Sequence, residues 1–225
     1  MGILDLIFPK TCLGCGRPGG YICDSCIKKV RIPKPVCPFC LRASIKGRVH
    51  PACSGPFALD GLVCLWDYEG VIRKAILALK YKFAAQIARE ISSYASDRLQ
   101  NSRLLPSKST VLIPIPLYWY KKNTRGFNQA EEVGKVIAES LGWKFMSRLL
   151  IKTSPTTSQT ELKREERQKN LNGTFAVPPG LSWLRDSNVV LFDDVWTTGS
   201  TLKEAAKVLK QAGAKNVWGL TLSRG

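Results

Sequence analysis

The feature that most constrains how this chain folds is a set of paired, ligand-type residues between positions 12 and 53. Cys12 and Cys15, Cys23 and Cys26, and Cys37 and Cys40 are each separated by two residues, and His50, the single histidine, stands at the same spacing from Cys53. Two thiolates two residues apart in a tight turn approach one metal ion from the same side, and two such pairs complete a tetrahedral zinc shell. Gly14 and Gly16 flank Cys15, which suits a turn bent around a metal. Four pairs make two closed four-ligand sites. Sequential pairing puts Cys12, Cys15, Cys23 and Cys26 in one site and Cys37, Cys40, His50 and Cys53 in the other. A cross-braced arrangement, first pair with third and second with fourth, satisfies the spacing equally. With no open coordination position, such zinc is structural. Disulfides would need an oxidising compartment that nothing in the sequence announces. A redox C-x-x-C belongs at a strand–helix junction, where none of these pairs sits. Residues 1–55 are too poor in apolar side chains to hold a core of their own, so metal supplies their folding energy.

Residues 56–225 read differently. Hydrophobic residues make up 44% of the chain, enough for a packed core. Strands are expected at residues 62–68, 111–115, 188–192 and 217–222. Residues 71–99 carry a helical stripe of Ile72, Ile76, Leu79, Phe83, Ile87 and Ile91, and further helices are expected at 130–141, ended by Gly142, and at 201–212, ended by Gly213. Strands alternating with helices predict an α/β domain with a parallel, doubly wound sheet. Cys64, in an apolar run, reads as a buried core thiol. Residues 152–172, rich in Thr, Ser, Lys, Arg and Glu, have no apolar face; they read either as a functional loop or as a solvated helix over 160–169.

Lys and Arg number 34 against 17 acids, a net charge of +17, which favours polyanionic partners: nucleic acid, acidic lipid or a phosphorylated small molecule. No stretch approaches the roughly 20 apolar residues that span a bilayer. The first nine residues have neither a charged leader nor a cleavage site, so the expected location is the cytoplasm, where thiols stay reduced.

The most informative segment runs from Val189 to Thr201. An apolar strand is followed by Asp193 and Asp194, then by Thr197, Thr198, Gly199, Ser200 and Thr201, which open a helix. Ligands of open α/β sheets bind at the carboxyl ends of strands, and a helix N-terminus offers amide N–H groups and a favourable dipole to a phosphate. The two acids would repel that phosphate if aimed at it; they are suited to sugar hydroxyls or to Mg²⁺ held through water. This segment is neither a Walker A loop, since it lacks the G-K-[ST] ending, nor a G-x-G-x-x-G fingerprint. A second segment interleaves Tyr118, Trp119, Tyr120 and Phe127 with Lys121, Lys122 and Arg125. Such aromatics stack on unpaired bases while the cations neutralise phosphates, unless Tyr118 and Trp119 pack inward and the lysines merely face water. Arg73, Lys74, Lys80 and Lys82 would extend that surface.

The segment from Val189 to Thr201 resembles the phosphoribosyl pyrophosphate (PRPP) signature of type I phosphoribosyltransferases. Ile113-Pro-Ile-Pro116, followed by Arg125, Asn128 and Gln129, sits where that family carries its pyrophosphate-binding turn, and residues 156–162 with Arg164, Arg167 and Asn170 resemble its flexible loop. With the preceding ligand pairs, the chain resembles the ComF family, a zinc ribbon fused to a phosphoribosyltransferase-like domain. The resemblance implies a type I phosphoribosyltransferase fold over residues 56–225 behind a ribbon at 1–55. It implies PRPP bound with Mg²⁺ by Asp193 and Asp194 at the ribose and by residues 197–201 at the 5′-phosphate. It also implies single-stranded DNA handling in natural transformation, beside membrane-associated uptake machinery. Lys121, Lys122, Arg125, Asn128 and Gln129 are then candidates for the pyrophosphate or DNA side. Two positions depart from the family pattern: Trp196 is bulky where the enzymes carry a smaller residue, and His50 stands where a cysteine is usual. Besides a DNA-handling PRPP binder, the residues suit an active phosphoribosyltransferase with an unknown acceptor, or a non-catalytic, zinc-dependent adaptor. Transfer at the anomeric carbon needs little acid–base machinery, so the lack of a histidine beyond residue 50 does not refute the enzyme.

Overall fold

The structure is a computed structural model that describes residues 10–79, 84–102, 105, 110–120, 126–154 and 173–225. Its elements in chain order are α1 (Asp24–Ile27), β1 (Gly61–Asp67), α2 (Gly70–Ala78), α3 (Ala84–Ser102), β2 (Thr110–Pro114), α4 (Gln129–Leu141), β3 (Lys144–Phe145), β4 (Ile151–Lys152), β5 (Phe175–Ala176), β6 (Asn188–Trp196), α5 (Ser200–Gln211) and β7 (Asn216–Arg224). Five strands form one sheet in the order β1-β7-β6-β2-β3, every pair parallel. Strands β4 and β5 make a separate antiparallel ribbon.

The sheet is buried on both faces, and the side-chain period of two sorts its residues between two cores. Leu65, Leu112, Val190, Phe192 and Leu220 point to the layer of α2, α3 and α4. Leu62, Val111, Ile113, Val189, Leu191 and Val217 point to the layer of α5. The helical stripe predicted for residues 71–99 is divided between two helices, since α2 stops with Leu79 as its C-cap and α3 starts at Ala84. Ile72, Ile76, Leu79, Ile87 and Ile91 of that stripe are all buried, while Phe83 lies outside the described residues. β6 runs four residues beyond the predicted end at 192. Asp193, Val195 and Trp196 pair with Thr221, Ser223 and Arg224 of β7, so both acids belong to the strand and not to the loop after it.

This winding reverses direction at one point. From β2 the chain passes through α4, on one face, outward to the edge strand β3. From β6 it passes through α5, on the opposite face, toward β7. The two departures leave a crevice between the carboxyl ends of the neighbouring strands β2 and β6, the position at which doubly wound sheets bind ligands.

The N-terminal residues do not form a core of their own. Cys12, Ile22, Ile27 and Val30 are buried in the same cluster as Val63, Val71 and Ile91. Polar ties fix the contact: the Ile22 N–H donates to Glu90 Oε2 at 2.9 Å, and the Tyr94 hydroxyl donates to Asp24 Oδ1 at 2.7 Å. Further along, Arg48 bridges antiparallel to Gly61, which joins the module to the start of β1.

Asn128 is 5% exposed and uses both ends of its amide within the fold. Oδ1 accepts from the Ala130 N–H at 3.1 Å, capping α4, and Nδ2 donates to the Ile115 carbonyl at 3.0 Å, holding the end of β2 against that helix. Asn128→Ala removes the cap and leaves a buried carbonyl without its donor, so urea denaturation should show a loss of roughly 1–3 kcal/mol. An unchanged midpoint and slope would refute the role.

Candidate functional site

The eight predicted metal ligands come together in sequence order. Cys12, Cys15, Cys23 and Cys26 form one group and Cys37, Cys40, His50 and Cys53 the other, with the ligand atoms of each group within 4.8 Å of one another. A Zn–S bond of about 2.3 Å implies S···S edges of about 3.8 Å in a tetrahedron. Cys15 Sγ and Cys23 Sγ are 3.7 Å apart, and Cys40 Sγ lies 3.4 Å from His50 Nδ1. His50 Nε2 lies 3.0 Å from the Ala43 carbonyl, which can only accept, so Nε2 carries the proton and Nδ1 turns its lone pair toward the thiols.

Thiol electrostatics point the same way. Burial, with hydrogen bonds that the Cys26 thiol donates to Cys23, Cys15 and Cys12, pushes Cys26 up to about 12, and burial with Cys40 and Cys37 pushes Cys53 up to about 11. Burial also opposes the Cys12 thiolate, but hydrogen bonds from Cys15, Cys23 and Gly14 together bring it down to about 6. Arg42 brings Cys40 down to about 6. Thiols this close cannot all ionise unaided, and a divalent cation that takes them as thiolates removes the conflict. Both groups therefore fit zinc.

The two sites also share a turn that the cysteine spacing alone does not reveal. Cys12 N–H donates to the Arg17 carbonyl at 2.8 Å, and Cys37 N–H donates to that of Arg42 at 2.9 Å. Leu41 adopts φ 61°, the left-handed conformation that Gly16 takes at φ 77° after its own second cysteine. The signal is present as Cys-x-x-Cys-x-Arg at 12–17 and again at 37–42.

At the crevice, Pro114 pairs with Phe192, and the Ile115 N–H donates to the Phe192 carbonyl at 2.8 Å, so residues 113–116 run directly beside the acids. Asp193 and Asp194 are both half-buried. Loss of hydration, and next the neighbouring Asp194 charge, hold the Asp193 carboxyl well above the usual carboxylate range, against the Asp194 N–H that donates to Asp193 Oδ1 at 2.9 Å. Lys152, on β4, is the nearby cation that opposes this rise. Two adjacent carboxyl groups suit hydroxyl donors or a cation.

The loop after β6 is shaped by Trp196 and Gly199. The bulky Trp196 does not enter the crevice; it is 2% exposed and packs in the core beneath α5 with Leu62, Val189 and Leu202. Gly199 is the N-cap of α5 at φ 73°, and a Cβ there would fall within the Trp196 ring. Thr198 Oγ1 and Ser200 Oγ lie 2.8 Å apart, Ser200 is buried and Thr197 is exposed. Lys203, in the first turn of α5, sits between Trp196 and the zinc module's Phe39, its Nζ 5.7 Å and 6.0 Å from the two ring centroids.

Residues 155–172, with Arg164, Arg167 and Asn170, lie outside the described residues, as do Lys121, Lys122 and Arg125. The described residues that flank the first of these segments are joined to each other. Thr153 Oγ1 donates to the Gly173 carbonyl at 3.2 Å, and the Gly173 N–H donates to Glu204 Oε1 of α5 at 2.9 Å, which ties these two residues to α5. Trp119 and Tyr120 are exposed, at 60% and 61%, and Tyr118 is half-buried 5.7 Å from the Trp119 ring. Gln129 is buried, and among the described residues its Nε2 has no hydrogen-bond partner. Cys64 differs from the expected core thiol: it is half-buried, and burial pushes its pKa up to about 11.

Two outcomes follow. Gly199→Ala combines a left-handed backbone with overpacking against Trp196 and should cost roughly 2–4 kcal/mol by urea denaturation; a cost below about 1 kcal/mol would contradict the geometry. Removal of zinc with a chelator should lower amide-exchange protection in α3 as well as in residues 10–55, because they share a core. Protection of α3 that stays unchanged would contradict the shared core.

Among the described residues, no helix is long and apolar enough to cross a membrane. Residues 3–54 match the double zinc ribbon domain family, and residues 123–222 match the phosphoribosyl transferase domain family. The chain is 31% identical to competence protein F of Haemophilus influenzae, over 65% of this chain and 66% of that protein. It is 28% identical to the DNA utilization protein YhgH of Escherichia coli K12, over 94% of this chain and 96% of that protein. It is also 28% identical to competence protein ComFC of Bacillus subtilis, over 92% and 86%. Two zinc-ligand sets on a repeated turn, joined to a parallel sheet that carries the phosphoribosyl transferase signature, make this a ComF-type chain, as its sequence resemblance implied.

Proposed function

We propose that the protein binds PRPP in the crevice between β2 and β6 and acts on single-stranded DNA in uptake or processing. The observation that carries the first part is the pair Asp193–Asp194 at the carboxyl end of β6, followed by a glycine-capped helix start. Asp193 and Asp194 accept from the ribose hydroxyls or hold Mg²⁺ through water, and residues 197–201 receive the 5′-phosphate. Bound Mg²⁺ would offset charge on the pyrophosphate. The DNA part is supported by the net charge of +17, by the exposed rings of Trp119 and Tyr120 next to Lys121, Lys122 and Arg125 in sequence, and by relatives named for competence and DNA utilization. Thiols that must stay reduced to hold zinc agree with a cytoplasmic location.

A second reading, an active phosphoribosyltransferase, is favoured by the domain match, which spans α4 and the whole of β6 and α5. It differs from the first in one observable, the release of pyrophosphate from PRPP that depends on an acceptor.

Asp193→Asn tests the ligand site with two opposed readouts. It should reduce PRPP affinity by about tenfold or more by calorimetry, yet raise Tm of the free protein by roughly 2–4 °C near neutral pH. The folded Asp193 has a raised pKa, so its penalty is present in full above that pKa and absent below the unfolded value near 4. The gain in Tm should therefore fade as the pH falls toward about 4. Undiminished PRPP affinity would defeat the assignment. Replacing Lys121, Lys122 and Arg125 together by Ala should weaken oligothymidylate binding and reduce its salt slope by about 0.7 for each phosphate no longer neutralised. An unchanged slope would remove those residues from the surface.

A further inference from the structure

The zinc module does not close completely on the sheet. Where residues 32–36 and Lys46 pass the outer edge of β1, they enclose a cavity of about 180 Å³ together with Leu62, Cys64, Arg98 and Arg224. Much of its wall is apolar, from Pro33, Pro35, Val36 and Leu62. Its charged lining is of one sign: Lys34, Lys46, Arg98 and Arg224 contribute four cations, and among the described residues no acid lines it.

These cations are not equivalent. Arg224 serves the fold, with Nη2 3.9 Å from Asp67 Oδ1 and Nη1 donating to the Lys34 carbonyl at 3.2 Å. Arg98 is half-buried on α3, and among the described residues its buried Nε has no hydrogen-bond partner. Burial lowers its pKa. A partly desolvated guanidinium with no acid beside it among the described lining residues is unfavourable, and an anionic ligand would supply the counter-charge. Lys46 is held at φ 53°, a conformation disfavoured for lysine, at the point where the module turns along the cavity.

We propose that this seam holds one nucleotide of a single-stranded nucleic acid, its base on the apolar wall and its phosphate on Arg98 and Lys46. Stacking or apolar contact with a base beside cations on the backbone is how single strands are gripped without sequence preference. The volume is below the roughly 300 Å³ at which drug-sized sites begin, and suits a base or a phosphate better than an acyl chain. The proposal rests on the single-strand reading above and adds a place for it, formed jointly by the zinc module and the α/β domain. Zinc would then contribute to DNA binding by building one wall of the site.

The test uses the zinc-loaded full chain and fluorescent oligothymidylate, with anisotropy measured over a range of salt. Arg98→Met keeps most of the side-chain volume and breaks no hydrogen bond of Nε among the described residues; Lys46→Gln removes the second charge. The double variant should lose affinity on the order of tenfold and reduce the salt slope by about 0.7, the share of one phosphate, with thermal stability kept. An oligonucleotide bearing 5-iodouracil should photo-crosslink to residues 32–36 or 61–67 in the parent protein. Unchanged affinity and slope in a protein that binds the oligonucleotide, or crosslinks confined to residues 118–120, would overturn the seam site alone. Failure of the parent protein to bind any oligonucleotide would overturn the seam and the single-strand reading together. Loss of binding to phosphatidylglycerol vesicles with oligonucleotide binding intact would assign the cations to a lipid surface and overturn the proposal.

Discussion

The reversal of winding between β2 and β6 organises this molecule. Because α4 leaves β2 on one face of the sheet and α5 leaves β6 on the other, neither helix covers the carboxyl ends of these two central strands. A parallel sheet buried on both faces has few places to expose polar chemistry, and this gap is one of them. Everything polar at the candidate ligand site follows from it. Asp193 and Asp194 are carried there by strand pairing, residues 113–116 lie alongside by hydrogen bonding to Phe192, and Thr153 and Gly173 are tied to α5. Its electrostatic cost is visible at Asp193, whose carboxyl is held away from its ordinary range by lost hydration and its acidic neighbour.

The zinc module is joined to this frame and does not stand beside it. Metal fixes two short turns that have too little apolar surface to fold alone, and the few apolar residues they carry, Ile22, Ile27 and Val30, complete the core of the helical layer. The second site reaches toward the ligand loop. Phe39, between Cys37 and Cys40, lies over Lys203, which lies in turn over Trp196, the residue that dictates a glycine at 199. A physical path therefore connects the metal turn to the helix start that faces the crevice.

Much of this is legible in the sequence where the signal is local. Ligand spacing identifies all eight metal-type residues, and apolar periodicity locates β1, β2, α4, α5 and β7 to within a few positions. Local reading fails where pairing partners decide. Asp193 and Asp194 look like the start of a loop, yet β7 supplies partners through Trp196 and keeps them in the strand. Trp196 reads as a bulky departure from the family pattern, and only the packing under α5 shows where a large ring can go. Asn128, a candidate for the pyrophosphate or DNA side by resemblance, also has a role in the fold that only the structure shows, with both ends of its amide used by the end of β2 and the first turn of α4. The cavity at the seam joins segments far apart in the chain, from Ile32 to Arg224, and has no signature in the sequence.

The central claim is that the crevice between β2 and β6 receives PRPP. Phosphorus NMR of PRPP with Mg²⁺ and the zinc-loaded protein tests it most directly, since each phosphorus reports its own environment. The account predicts broadening or shifting of the 5′-phosphate and pyrophosphate resonances with wild-type protein and sharp, unshifted lines when Asp193 and Asp194 are both replaced by Asn. Sharp resonances with the wild-type protein at saturating concentration would contradict it.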